Sequence, residues 1–306
     1  MPDRIQRVAF LGTPEIAVPT LHALDRAGYE IPMVVSGADK RRGRGSSTTP
    51  TPVKAAALEL GVPVVTTVDE LLEAHRAEPV DLAVVVAFGQ IIRPNVLAEI
   101  PMINLHFSPL PRWRGAAPIE RAILAGDVET AVEVITVAEG LDEGDVWAHV
   151  PVTIHGADTA GTLWARMSVT GADLVVETIS AMNHGTATAV PQTGEVTYAH
   201  KISTDDRRLD WELRADELHR VVRVGGAWTT FRGDRFKIHE AEPIDDPFAP
   251  SSNLSPGEVY HGVKGVVFGT ADGGLRPVLV QPAGKPAMDA DDWANGARPD
   301  GSVLGD

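Results

Sequence analysis

The sequence of 306 residues contains no cysteine and lacks any long apolar run. The absence of cysteine excludes disulfide bonds, thiolate metal sites and cysteine nucleophiles, and it fits a reducing compartment. No stretch approaches the roughly 18 apolar residues of a membrane-spanning helix, and the N-terminus leads into a predicted strand without the apolar segment of a signal peptide. We therefore expect a cytoplasmic protein with no membrane partner.

Basic residues are also scarce, because 27 Lys and Arg stand against 42 Asp and Glu. The formal net charge of −15 argues against non-specific attraction to nucleic acid, so a polyanionic partner would have to be met by a local basic patch. Hydrophobic residues make up 43% of the chain, which is typical of a globular protein, and the length leaves room for two domains.

The apolar periodicity predicts an α/β fold in the first part of the chain. The predicted strands are 8–11, 31–36, 64–66, 82–87, 103–107, 130–138 and 146–154, and the predicted helices are 15–27, 51–60, 68–77, 116–125 and 159–182. Strands that alternate with helices indicate a doubly wound, Rossmann-like sheet. Because the strand at 82–87 is entirely apolar, we place it at the centre of that sheet.

The pattern weakens after residue 185 and changes in the last hundred residues. A helix is predicted at 214–224, followed by short strands at 229–231, 236–242, 257–260, 266–269 and 275–281. Several short strands broken by Gly and Pro predict a small, OB-like β-barrel. We therefore expect a first domain at 1–189, a linker at 190–208 and a C-terminal β-barrel domain at 209–306.

The most informative stretch is Ile103–Gly115. Strand alternation places the side chains of Asn104 and His106 on one face, and two prolines then exclude both a ladder and a helix. Residues 112–114, Arg-Trp-Arg, must therefore lie on an ordered loop suited to stacking and phosphate contact. Either feature alone could be structural, but together, at the carboxyl end of a strand, they favour a ligand site.

Three other loops carry possible function. Gly12-Thr13-Pro14 follows the first strand but lacks the further glycines of a dinucleotide fingerprint, so we discount nicotinamide binding. The loop at 37–50 is longer than usual for such a connection and holds four cations within five residues. The acidic loop at 139–145 could turn a carboxylate back towards a neighbouring strand or only cap a hairpin.

With these residues in view, the chain resembles the methionyl-tRNA formyltransferase family. The matching segments are Gly12-Thr13-Pro14, Gly43-Arg44-Gly45 leading to Thr51-Pro52-Val53-Lys54, Ala87-Phe88-Gly89, Asn104-Leu105-His106, Ser108 to Ile119, Gly140 to Asp145, Ala199-His200-Lys201-Ile202, and Gln281 to Lys285. The resemblance implies transfer of a formyl group from 10-formyltetrahydrofolate to the α-amino group of methionine on initiator tRNA. It also implies that Asn104, His106 and Asp142 are the catalytic residues.

The residue chemistry agrees with these implied roles. Attack of an amine on a formyl carbon creates a tetrahedral oxyanion, to which the Asn104 amide and a His106 N–H can donate. Asp142 can orient the imidazole and help to take the proton that the amine sheds. No covalent formyl-enzyme is needed, because a well-held amine is already a fair nucleophile.

The resemblance also implies binding residues and partners. The implied folate contacts are Phe88, Gly89, Gln90, Ile91, Ile92, Ser108, Pro109, Leu110, Pro111 and Asp142. The implied tRNA contacts are Arg41, Arg42, Arg44, Arg112 and Arg114. We expect the protein to be a monomer. We also expect no metal ion, since no histidine pair has helical i, i+4 spacing and no carboxylate cluster of the Ca²⁺-loop type is present.

One departure concerns the second domain, which presents a basic surface to tRNA in the family. From Pro191 onward this chain has 13 Lys and Arg against 19 Asp and Glu. Contact with tRNA there would depend on clustering, for which the candidates are Lys201, Arg207, Arg208, Arg232, Arg235 and Lys237.

Three alternative functions remain open at this point. The nearest is a folate-dependent formyltransferase or hydrolase that acts on a small ribonucleotide, an amino sugar or water, although such an enzyme needs neither the basic loop nor a second domain. A tRNA-binding protein without catalysis and a metal enzyme are the others. The intact set of Asn104, His106 and Asp142 argues against a tRNA-binding protein without catalysis. The lack of metal-ligand spacing argues against a metal enzyme.

Overall fold

The computed structural model describes residues 4–41, 48–244 and 254–306. Contacts divide the chain into two compact units. The first contains Met1–Ile119, Glu129–Thr153 and Thr162–His200, and the second contains Glu120–Val128, Ile154–Gly161 and Lys201–Asp306. None of the helices in the described ranges is both long enough and apolar enough to span a bilayer.

Seventeen strands and eight α-helices occur in the described residues. The strands are β1 (Val8–Gly12), β2 (Val34–Val35), β3 (Lys40–Arg41), β4 (Thr48–Thr49), β5 (Val64–Val65), β6 (Leu82–Val86), β7 (Met102–His106), β8 (Arg114–Gly115), β9 (Glu129–Thr136), β10 (Val146–Thr153), β11 (Tyr198–Ala199), β12 (Trp228–Phe231), β13 (Asp234–Ile244), β14 (Val259–Gly262), β15 (Gly265–Gly269), β16 (Gly274–Gln281) and β17 (Met288–Asp289). The helices are α1 (Val18–Arg26), α2 (Pro52–Glu59), α3 (Val68–Ala77), α4 (Pro94–Leu97), α5 (Pro118–Ala125), α6 (Ala160–Asn183), α7 (Ala215–Val224) and α8 (Ala290–Ala297).

The main sheet of the first unit has the order β10-β9-β7-β6-β1-β2-β5. Five neighbouring strands of this sheet, β7, β6, β1, β2 and β5, are parallel to one another. Strand β9 runs antiparallel to both β7 and β10. Strand β6 is central and buried along its whole length, which confirms the placement predicted from its apolar sequence. The predicted doubly wound α/β domain is therefore present, with an antiparallel edge.

Local signals explain where several helices begin and end. Helix α3 starts with a capping box, in which Thr67 accepts from the Glu70 N–H and the Glu70 carboxylate accepts from the Thr67 N–H. Helix α1 is preceded by a 3-10 turn at Glu15–Ala17, and Gly28 follows it with φ +81°, a conformation that favours glycine.

The second unit contains a six-stranded antiparallel sheet with the order β12-β13-β16-β15-β14, in which β17 also pairs with β16. Its core is aromatic, since Trp293 packs against Phe236 and Phe268. The C-terminal segment bridges to both ends of the sheet, through Leu304 to Phe231 and through Val303 to Glu258. This antiparallel half-barrel confirms the predicted second fold class.

Candidate active site

The carboxyl ends of β6 and β7 lie side by side, because Val85 pairs with Asn104 in parallel register. Asn104 is partly exposed, and none of the described residues hydrogen-bonds its side-chain amide. His106, two residues further along, is only 5% exposed. The strand thus carries one amide that is open to a ligand and one imidazole that the protein surrounds.

Both ring nitrogens of His106 face oxygen atoms. The Nε2–H donates to the backbone carbonyl oxygen of Trp113 at 3.1 Å, and Nδ1 lies 3.7 Å from Oδ2 of Asp142. The second distance is too long for a hydrogen bond but suits an ion pair, and catalytic contacts often shorten only when substrate binds. Oxygen atoms near both nitrogens thus fix the orientation of the ring.

The loop after β7 holds the Trp113 carbonyl in place. The Ser108 hydroxyl donates to the carbonyl of Arg112 at 2.7 Å, and the Trp113 N–H donates to the Thr197 hydroxyl at 2.9 Å. Trp113 has φ +65°, which is unusual for a residue with a side chain. Such a conformation persists only when neighbouring groups impose it. The loop after β7 is therefore held in one defined conformation.

Asp142 is also held in an uncommon backbone conformation, with φ +48°. Its Oδ2 accepts from the Gly115 N–H at 2.8 Å, which aims the carboxylate at His106. At Gly144 a Cβ atom would overlap the carbonyl oxygen of Thr136, so only glycine allows the loop to pass this close to β9. The acidic loop therefore does both things that its sequence left open, since it also joins the antiparallel pair β9 and β10.

Gln192 is a residue of this region that the sequence analysis missed. Its Nε2 donates to the carbonyl oxygens of Asp142 at 2.7 Å and Gly144 at 2.9 Å. Its Oε1 accepts from Nη2 of Arg114 at 2.6 Å. One amide thus ties the acidic loop to the arginine loop, and no local pattern in the Pro- and Gly-containing stretch around it signals this role.

The predicted folate segment at 88–92 directly follows β6. Within the described parts of the chain, its backbone N–H and C=O groups pair with no other backbone group. Gly89 has no positive φ, and a Cβ atom there would meet nothing within 4 Å, so neither the turn nor the packing requires glycine. Open backbone groups beside a residue without a side chain fit the approach of a flat heterocycle.

The side chains of this segment are less available than its backbone. Phe88 and Ile92 pack against the hydrophobic core, and the Gln90 amide donates to the Thr66 carbonyl at 2.8 Å. Ile91 is the exception, because it is 89% exposed. Among the other predicted folate contacts, Leu110 is buried in a cluster with Ile135 and Val146, whereas Pro109 is partly exposed.

An open pocket of about 460 Å³ lies between the acidic loop and β9. Its lining residues are Arg114, Thr136, Ala138, Glu143, Gly144 and Asp145. This volume is within the roughly 300–1,000 Å³ of small-molecule sites. The pocket therefore adjoins the loop that carries Asp142.

The arginines predicted to contact tRNA have different placements. Arg42 and Arg44 lie outside the described residues, and the backbone of Arg41 forms part of β3. The Arg112 guanidinium lies over the Trp113 ring, 4.5 Å from its centroid, while Arg114 is bound to Gln192. Both of these side chains therefore have partners within the protein before any substrate arrives.

The second unit has a compact cationic and aromatic surface that we call the Trp228 platform, formed by Trp228, Arg208 and Arg235. The guanidinium groups of Arg208 and Arg235 lie 5.7 Å and 4.2 Å, respectively, from the centroid of the indole ring. The indole Nε1–H donates to the Thr204 carbonyl, and this hydrogen bond fixes the ring. Arg208 and Arg235 are exposed. This clustering is the kind that the acidic balance of the domain requires for a polyanion.

One buried carboxylate near His106 was also missed. Glu133 on β9 is 4% exposed, and burial raises its pKa above the ordinary 4.5, although a hydrogen bond from His149 opposes the shift. An acidic residue between the apolar residues Val132 and Val134 was the available signal. No group of three His, Cys, Asp or Glu side chains that could hold a metal ion occurs in the described ranges.

Comparison with known proteins identifies the family. The formyl transferase family model matches residues 6–179, and the model of the formyl transferase C-terminal domain matches residues 201–298. These two matches follow one another along nearly the whole chain.

Curated proteins and a solved structure agree with this assignment. A methionyl-tRNA formyltransferase from Corynebacterium aurimucosum is 41% identical over 313 residues, 95% of this chain and 94% of its own, and one from Streptomyces coelicolor is 40% identical over 98% and 100%. The structure of an N-formyltransferase from Helicobacter canadensis, in complex with folinic acid and dTDP-3-aminofucose, superposes with a TM-score of 0.67. It is 17% identical over 91% of this chain and 99% of its own, which shows the fold alone. The chain therefore belongs to the methionyl-tRNA formyltransferase family of enzymes.

Proposed function

We propose that this chain transfers the formyl group of 10-formyltetrahydrofolate to the α-amino group of methionine on initiator methionyl-tRNA, giving formylmethionyl-tRNA for translation initiation. The observation that carries the proposal is the meeting of Asn104, His106 and Asp142 at one edge of the sheet, with an open amide beside a histidine and a carboxylate. Identity of about 40% to methionyl-tRNA formyltransferases over the whole chain supports it.

The reaction begins when the methionine nitrogen attacks the formyl carbon. The carbonyl oxygen becomes an oxyanion, which the Asn104 amide and the His106 Nε2–H stabilise by donating hydrogen bonds. His106 must exchange the Trp113 carbonyl for the substrate oxygen, whereas the Asn104 amide has no such competitor among the described residues. Asn104 is thus the donor that is ready before substrate binds.

Collapse of the intermediate breaks the bond between the formyl carbon and the folate nitrogen. The amine sheds one proton, which Asp142 helps to take, and the folate nitrogen takes one proton as tetrahydrofolate leaves. Asp142 also keeps the imidazole oriented through its position at Nδ1. Positioning of the two reactants supplies much of the remaining rate.

The co-substrate site is assigned to the open backbone of residues 88–92, to the loop at 108–111 and to Asp142. The observation that supports this assignment is the set of unpaired backbone groups beside Gly89. Open N–H and C=O groups match the donor and acceptor edge of a pterin.

For the RNA, the proposed contacts in the catalytic domain, 1–189, are Arg41, Arg42, Arg44, Arg112 and Arg114. The linker at 190–208 and the C-terminal domain at 209–306 add further contacts, for which the Trp228 platform is the best candidate. We propose that the protein acts as a monomer.

The test is formyl transfer from 10-formyltetrahydrofolate to charged initiator tRNA, run beside free methionine and glycinamide ribonucleotide as acceptors. We expect product only with the charged tRNA. Transfer to a small amine alone, or release of formate without an acceptor, would keep the chemistry of the sheet edge but contradict the proposed substrate.

A further inference from the structure

Three strands carry a row of titratable residues across the sheet. In the antiparallel registers, His106 on β7 pairs with Glu133 on β9, and Glu133 pairs with His149 on β10. Residues directly opposite each other project from the same face of a sheet. Because Asp142 lies 3.7 Å from Nδ1 of His106, carboxylates and imidazoles alternate from the candidate active site to the edge strand.

Glu133 lies inside this row and makes two hydrogen bonds. Its Oε1 accepts from Nδ1–H of His149 at 2.7 Å, and its Oε2 accepts from the Leu110 N–H at 3.1 Å. Leu110 belongs to the same loop as the Trp113 carbonyl that accepts from His106. Glu133 therefore contacts the loop that fixes His106, as well as facing His106 across the strands.

The location of this carboxylate is unfavourable for stability. A buried carboxylate loses hydration, and here the loss outweighs the help from its partners, because its pKa is raised. A neutral glutamine would satisfy the same two neighbours, with its carbonyl accepting from Leu110 and its amide donating to a neutral His149. The structure thus retains a carboxyl group where an amide would make the same contacts.

The surroundings indicate what the charge does. Within the described parts of the chain, the ionisable groups that interact with Glu133 are His149 on β10 and His106 on β7. The carboxylate of Glu133 adds to that of Asp142, so His106 is surrounded by acceptor groups together with the Trp113 carbonyl. These groups orient the ring, and an oriented N–H is preorganised to donate to an oxyanion.

We propose that Glu133 is a positioning residue for formyl transfer, which acts through His106 by its negative charge and through the hydrogen bond that anchors the loop at Leu110. His149 is its hydrogen-bond partner at the exposed end of the row. This inference rests on the proposed function, because the reaction it assists is formyl transfer to the charged tRNA.

The experiment is a comparison of Glu133→Gln with wild type. The substitution removes the charge but keeps the size and both hydrogen bonds, so it isolates the electrostatic role. We expect kcat to fall by about 10-fold to 10²-fold, as for other losses of preorganisation, with each KM changed by less than about threefold. The thermal unfolding midpoint is expected to stay equal or to rise.

The pH profile separates this role from a structural one. In wild type, protonation of Glu133 removes the charge, so kcat is expected to fall on the acid side at a pH above the ordinary 4.5 of a glutamate, and this acid limb should be absent in Glu133→Gln. Glu129→Gln is the matched control, because it places the same substitution at an exposed carboxylate of the same strand. The control is expected to match wild type in kcat, pH profile and unfolding midpoint.

Two results would overturn the proposal. One is a kcat of Glu133→Gln within twofold of wild type across the pH range. The other is a lower kcat with a lower unfolding midpoint and an unmoved pH profile, which would make Glu133 a structural residue only. The wild-type assay is run first, so that absence of transfer to charged tRNA in wild type would count against the proposed function and not against the role of Glu133.

Discussion

Two regions of the molecule hold their polar groups in different ways. One is the candidate active site at the carboxyl ends of β6 and β7, which we call the sheet edge, and the other is the Trp228 platform of the second unit. At the sheet edge, the imidazole of His106 and the carboxylate of Asp142 are held by hydrogen bonds to the backbone of Trp113 and Gly115. Both of these backbone partners have positive φ angles. At the platform, exposed guanidinium groups lie over an indole ring.

The difference indicates a division of labour. Buried groups with fixed partners are preorganised for charge that develops during a reaction, because no solvent has to reorient around them. Exposed cations over an aromatic ring remain able to meet phosphates and bases, and they act mainly on affinity. We therefore expect substitutions at the sheet edge to change kcat and substitutions at the platform to change the KM for tRNA.

The largest effect is expected at the proposed oxyanion donors. Asn104→Ala and His106→Ala should each lower kcat by about 10²-fold or more, with little change in KM, because their hydrogen bonds strengthen only in the transition state. Steady-state kinetics with charged initiator tRNA measure this. His184→Ala, at an exposed histidine of the same unit, is the control and should behave as wild type. An unchanged kcat in both site variants would remove the oxyanion role.

A smaller effect is expected at Gln192, which touches the carbonyl of Asp142 rather than its carboxylate. Gln192→Ala should lower kcat by about 10-fold, because the acidic loop loses its tie to Arg114 and the carboxylate is less well placed. The KM for tRNA should change little. If the variant instead raised that KM and left kcat intact, Gln192 would belong with the affinity residues.

The platform should show the opposite kinetic pattern. Arg235→Ala should raise the KM for tRNA by about 3-fold to 10-fold with kcat unchanged, since loss of a phosphate or stacking contact is worth about 1 kcal/mol. The dependence of log KM on log salt should become shallower by about one contact. Arg276→Ala, an exposed arginine on β16, is the matched control. Equal salt slopes for Arg235→Ala and wild type would exclude the platform from the tRNA site.

The smallest effect concerns stability at the sheet edge. The folded-state pKa of Glu133 is raised above the ordinary 4.5 of the unfolded state. At pH values between 4.5 and the raised pKa, the native state therefore binds more protons than the unfolded state. Wild type therefore loses stability as pH rises through that window, whereas Glu133→Gln does not. Denaturant unfolding should show the stability advantage of the variant growing with pH. An advantage that shrinks instead would mean that His149 outweighs the burial of the carboxylate.

Much of the fold could be predicted because the signals are local. The helix at 68–77 matches its predicted bounds, since its cap residues lie within three positions of each other. Helix α8 was not predicted, although an acidic residue stands at its start. In the structure, Asp289 caps this helix by accepting from the N–H groups of Asp291 and Asp292.

The candidate site was predictable only in part. Strand alternation brought Asn104 and His106 together, but the turn of Asp142 towards His106 depends on a hydrogen bond from Gly115, 27 residues earlier. The contacts of Gln192 and Glu133 are longer-range still or cross three strands. Such pairings depend on strand order and register, which a single sequence does not specify.

The most direct test of the division between chemistry and affinity is the single-turnover rate of formyl transfer with enzyme in saturating excess over charged initiator tRNA, compared between His106→Ala and Arg235→Ala. Saturation removes differences in affinity and leaves the rate of the bound complex. We expect His106→Ala to be slower than wild type by about 10²-fold or more and Arg235→Ala to equal wild type. A His106→Ala rate equal to wild type, or an Arg235→Ala rate as slow as that expected for His106→Ala, would contradict the account.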